Sequence, residues 1–151
     1  MGTNTRVPGQ LTLLVLLAAT MVSTALHYTD NYVRVDDYPQ PSVIPTQVTQ
    51  IAILVAWPLL TAVGLIGYRL YVRRRFFAAR ICLAIYALTG IVTLGHFFSG
   101  MPMVAWYWFI TLFTDAIFGF ALWGFAIWSM RWDREPHPAA AGAAGKQRAR
   151  L

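Results

Sequence analysis

His27, Asp30, Asn31 and Arg34 stand close together in the stretch Thr20 to Tyr38, which reads TMVSTALHYTDNYVRVDDY. With Thr20, Ser23 and Thr24 before them they recur at three- and four-residue intervals, so a helix presents them as one polar stripe. An imidazole, a carboxylate, an amide and a guanidinium on one face can hold a polar ligand, move a proton or, with further donors, ligate a metal. Two more ionisable residues, His96 and Asp115, lie in apolar surroundings. Thr93 and His96 share a helical face, as do Thr111 and Asp115, and in lipid such faces turn inward. The candidate ligand-binding set is therefore His27, Asp30, Asn31, Arg34, Thr93, His96, Thr111 and Asp115. The candidate metal ligands are His27, His96 and Asp115.

Each candidate has a structural alternative. Asp115 falls about 15 Å below the nearer end of its span at 1.5 Å per helical residue, too deep for a bare carboxylate. It is expected to be protonated, or partnered by a histidine, a metal or water; the structural alternative is a neutral acid bonded to a threonine or a backbone carbonyl. Asp30 and Arg34 can pair at i and i+4 as an interface cap, with His27 packed beneath. A divalent metal would suit the two histidines and an acid, but the tighter H-E-x-x-H motif of zinc enzymes does not occur. Haem b is the other cofactor considered, with His27 and His96 as axial ligands at matched depth. Met101 and Met103 read as packing in a turn. Cys82, the single cysteine, cannot form an internal disulfide.

The elements that must position these residues are legible from composition. Of 151 residues, 58% are hydrophobic and 12% charged, and the apolar residues come in blocks of about 18–25, the length that crosses a bilayer. Four spans are expected: Leu11 to Tyr28, Val48 to Tyr71, Ile81 to Phe98 and Val104 to Met130. The first has a rival reading as a signal-peptide core, with Ser23 and Ala25 at the small-residue positions, but the polar stripe runs in register through that site. Pro39, Pro41 and Pro45 break the first connection. Pro58 is expected to bend the second span, and Gly64 and Gly67 to let it pack closely. Tyr28, Tyr32 and Tyr38, and Trp106, Tyr107, Trp108, Trp128 and Trp132, read as aromatic belts.

Arg69, Arg73, Arg74, Arg75 and Arg80 concentrate positive charge around the second connection, which the positive-inside rule makes cytoplasmic. The expected fold is an all-α integral membrane four-helix up-down bundle over residues 1–132, with both termini cytoplasmic. A disordered basic tail is expected over 133–151, carrying His137, Lys146, Arg148 and Arg150. The net charge of +6 flanks apolar spans, pointing to anionic lipid headgroups rather than nucleic acid. A homo-oligomer or larger membrane complex is a possible setting. Basic residues that are nearly all Arg, and an Ala-rich tail, suggest a G+C-rich bacterial genome and hence a bacterial plasma membrane.

The run His27-x2-Asp30-Asn31-x2-Arg34 followed by Tyr38-Pro39 resembles a motif of small bacterial four-span membrane proteins without an assigned activity. In these a histidine and an acid close the first helix before a Tyr/Trp-Pro loop. The resemblance covers the first hairpin, with a generic match at Gly95-His96, and implies that the motif is a unit. Three functions compete: ligand or lipid binding or an accessory subunit, a membrane enzyme with a His/His/Asp metal or acid-base site, and a bis-histidine haem carrier.

Overall fold

A computed structural model describes residues 7–39 and 43–134. Of the expected basic tail over 133–151, residues 135–151 lie outside the described residues, as does Pro41. Helix α1 spans Gln10–Val33, α2 Thr46–Val72, α3 Phe76–Ile91, the single turn α4 His96–Ser99, and α5 Trp106–Trp128. Short 3-10 segments lie at Val35–Asp37, Val92–Gly95 and Ser129–Arg134. Among the described residues four helical runs are long and apolar enough to cross a membrane: Gln10–Val33, Thr46–Val72, Phe76–Phe98 and Trp106–Trp132.

The distribution of side chains is the reverse of a soluble bundle. Leu14, Val15, Val22, Leu26 and Val33 of α1 and Leu54, Val55, Leu59, Leu65 and Ile66 of α2 are exposed, while Thr20, Ser23, Thr24, His27, Asp30 and Asn31 are buried. In hydrocarbon, apolar surface needs no cover and polar side chains seek one another, which fits a multi-pass membrane protein.

Helix α1 packs against α2 and α5, and α3 packs against the same two, so the four spans form a ring with little contact across the α1/α3 diagonal. Neighbours are antiparallel. At one end the start of α1 meets the ends of α2 and α5: the Tyr71 hydroxyl donates to the Pro8 carbonyl at 2.7 Å, and Gly9 lies against the Trp128 ring. The turn Arg73–Arg75 closes the same end. There Arg75 N–H donates to Leu70 O and Arg74 N–H to Tyr71 O, both at 2.9 Å, and Arg74 takes a left-handed φ of 59°. This is a Schellman closure with arginine where glycine is usual.

Two glycine contacts set the spacing. Gly64 faces the Tyr86 ring and Gly67 faces Leu83, so α2 lies close on α3 as those glycines suggest. Gly90 and Gly119 bring α3 and α5 closer still; a Cβ on Gly90 would overlap the Asp115 carbonyl oxygen. Helix α2 continues through Pro58 without interruption.

Helix α1 runs five residues past the expected Tyr28, to Val33. His27 therefore sits almost two turns inside it. Beyond Ile91 the third span tightens into the 3-10 segment Val92–Gly95 before α4. Each 3-10 residue advances about 20° further round the axis than an α residue, so the α-helical spacing from Thr89 to His96 is interrupted.

Candidate functional site

The far end of the bundle from Arg74 is closed by two connections that touch. Met103 N–H donates to Asp37 O at 2.9 Å, and Gly100, at φ 141°, packs against Pro39. That φ is open to glycine and strained for other residues. Beneath this seam Tyr38 is buried, its ring centroid 5.0 Å from His96 and 5.8 Å from His27. The two imidazoles stand edge to face at 5.7 Å. Tyr38 was expected in an interface belt with Tyr28 and Tyr32; folding the 34–39 turn back over α1 makes it the centre of the site instead.

The Tyr38 hydroxyl donates to Asp30 Oδ2 at 2.8 Å, and Asp30 Oδ1 pairs with Arg34 Nε at 3.3 Å, the i, i+4 pair anticipated from the spacing. Arg34 in turn lies 5.9 Å from the centroid of Trp108 on α5, within cation–π range. Burial, the bond to Asp30 and that carboxylate's charge all push the Tyr38 phenol above its ordinary range, so it stays a neutral donor.

Asn31 lies one turn beyond His27, and its Nδ2 is 3.2 Å from His96 Nε2. As placed, the amide donates and Asn31 Oδ1 is left buried without a partner; the flipped amide would leave Nδ2 so instead. His27 is 1% exposed, and its Nδ1 also lacks a partner. The outer site thus holds two buried polar positions open to further hydrogen bonds. Tyr28, edge-on to His27 at 5.5 Å, joins this cluster to a groove of about 340 Å³ that it lines with Tyr32, Ile53, Leu54, Trp57 and Pro58.

Asp115 does not join the histidines. It is fully buried, and its Oδ1 accepts from Ser23 Oγ on α1, one turn before His27. Ser23 Oγ also lies 2.9 Å from Thr114 Oγ1, and Thr114 donates to Thr111 O at 3.1 Å. Asp115 Oδ2 has no partner. Thr111 itself donates to Trp108 O at 2.6 Å, and Thr93 spans from Gly90 O to Leu112 O. Both threonine hydroxyls are occupied by backbone carbonyls.

Among the described residues no three His, Cys, Asp or Glu side chains gather closely enough to hold a metal ion. The set His27, His96 and Asp115 is therefore not assembled as metal ligands, because Asp115 belongs to a separate, deeper niche. Nor does the histidine pair suit an axial-ligand role. Its rings are in mutual contact with Tyr38 against both, and a porphyrin would have to part all three.

The sequence pattern marks neither Thr114 nor the roles that Tyr38 and Ser23 take. The Tyr-Pro pair after the motif was the available signal for Tyr38. For Ser23 it was membership of the α1 stripe. No family model, no curated protein and no solved structure matches the chain. The resemblance drawn from the His27 to Pro39 motif stands on those residues alone.

Proposed function

We propose that the chain is a membrane protein that binds a small amphipathic molecule at the outer cluster. The polar head of that molecule would engage His27 and Asn31, and its apolar body would lie in the groove beyond Tyr28. What carries the reading is the pair of unpartnered polar atoms, His27 Nδ1 and one end of the Asn31 amide, buried a turn apart on α1. Groups so placed in hydrocarbon are costly unless something completes them. His96, Tyr38, Asp30 and Arg34 hold the cluster in shape.

The exposed Arg69, Arg73, Arg74 and Arg75 crowd the opposite end. By the positive-inside rule we place that end in the cytoplasm of a bacterial cell, against anionic headgroups, with the ligand site outward. Ligand binding suits either a free-standing protein or an accessory subunit of a larger complex.

The test is to extract the protein from native membrane in mild detergent and identify co-purifying small molecules by mass spectrometry. The wild type should carry an amphipathic species at stoichiometric level, and the His27→Ala/Asn31→Ala double variant should lose it while remaining folded by circular dichroism. Equal retention by the double variant, or no enriched species in the wild type, would sink the reading.

A further inference from the structure

Asp115 lies outside the ligand cluster and has its own hydrogen-bond chain. We infer that it is a proton-binding site within the membrane, whose charged and neutral states are both met by the hydroxyl chain of Ser23 and Thr114.

An ionised Asp115 only accepts: Ser23 donates to Oδ1, Thr114 can donate to Ser23, and the charge is met by one hydroxyl, with Oδ2 unpartnered. A protonated Asp115 has a donor of its own, and the chain then runs the other way. Oδ1–H donates to Ser23 Oγ, Ser23 to Thr114 Oγ1, and Thr114 to the Thr111 carbonyl that it already faces. Every hydroxyl proton in that direction has an acceptor, and the chain ends on backbone. The same heavy-atom positions serve both states, so a proton can be gained or lost without repacking.

The surroundings favour reversibility over a fixed charge. The titratable groups on the neighbouring elements are the phenols of Tyr28 on α1 and Tyr86 on α3, and among the described residues Asp115 makes no ion pair. His27 is one turn further along α1 from Ser23, and Arg34 is taken up by Asp30 and Trp108. Uptake moves a proton from hydronium to the carboxylate and leaves a water molecule; release is the reverse.

The position is built as a contact between helices. The Asp115 carbonyl abuts Gly90 of α3, and its side chain reaches Ser23 of α1. The site therefore lies where α5 meets both of its neighbours.

Infrared spectroscopy of the full-length protein in lipid nanodiscs tests this from about pH 5 to about pH 10. A neutral-carboxyl carbonyl band should be present at the acid end and vanish in one single-proton step. It should shift on carbon-13 labelling of aspartate and be missing in Asp115→Asn. Ser23→Ala should move the midpoint by about one pH unit or more. The aspartate label identifies the band even if the Asn variant fails to fold. Three results would overturn the inference: no such band at any pH, a band unchanged to the alkaline limit, or a band removed at constant pH by exchanging potassium for sodium, which would mark a cation site. The His27→Ala/Asn31→Ala variant should keep the band, so failure of the ligand proposal and failure of this one are separable.

Discussion

One face of α1 carries two polar regions that are stabilised in opposite ways. The outer cluster has charge, aromatic contact and several partners for each group: Asp30 is held by Tyr38 and Arg34, and His96 by Asn31, Tyr38 and His27. The niche of Asp115 has one hydroxyl partner and, among the described residues, no ion pair, and its position is enforced by backbone meeting backbone at Gly90. Near the end of the bundle two loops can fold over polar groups and supply partners. A full turn deeper only helices are available, and a polar group there must be matched by what the facing helix offers. Redundancy should leave the outer cluster assembled after single changes, whereas the inner niche should tolerate no change in helix spacing.

Gly90→Ala is the severest test of that contrast. Its methyl group would enter the Asp115 carbonyl, and backbone cannot rotate aside. A loss of at least about 3 kcal/mol is expected, the upper range for overpacking. Gly124→Ala, where nothing lies within 4 Å, should be neutral or slightly stabilising. Thermal unfolding in detergent compares the two, and equal Tm values would remove the claim that α3 and α5 are in register-setting contact.

Tyr38→Phe takes one partner from a carboxylate that keeps another. The expected loss is about 1.5–3 kcal/mol, as for a hydrogen bond to a charged group. It also carries a pH signature. The phenol binds its proton more tightly in the fold than in the unfolded chain, so its contribution is complete below about pH 10 and is lost as pH rises beyond that value. Wild-type stability should fall over that alkaline range and the Phe variant should show a flatter profile. Parallel profiles would mean that the Tyr38 bond does not hold Asp30.

The histidine pair sharpens the question of redundancy. If His27 and His96 act as one unit, the double change to Ala should cost less than the sum of the single ones, with a coupling of about 0.5–1.5 kcal/mol for rings in edge contact. Additive losses in a double-mutant cycle would separate their roles.

The smallest expected effect lies at the opposite end. Arg74 holds a left-handed conformation that costs any L side chain energy, so Arg74→Gly should stabilise by up to about 1 kcal/mol. It should leave ligand retention and the Asp115 band unchanged.

Particular residues show how far the sequence could be read. Four apolar blocks of membrane-crossing length stood out because hydrocarbon admits only helices of that reach with their backbone satisfied internally. The inward stripe of α1, the Asp30–Arg34 pair and the close approach at Gly64 and Gly67 followed from helical periodicity, a local property that needs no knowledge of partners. Thr93 and Thr111 look equally polar on a helical wheel, yet both hydroxyls return to backbone, and only the folded chain shows that.

What the sequence by itself determined is the chemistry available on each helix: two imidazoles at comparable depth, an acid far inside an apolar run, and an amide and an ion pair beside the first histidine. Tertiary structure alone decided which of these meet. The docking of two loops buries Tyr38 against both histidines. The rotation of α5 against α3, set by Gly90 and Gly119, points Asp115 at Ser23 instead of His27. Helix rotation and loop closure depend on contacts between residues far apart in the chain, whereas periodicity carries only the direction of each side chain about its own axis.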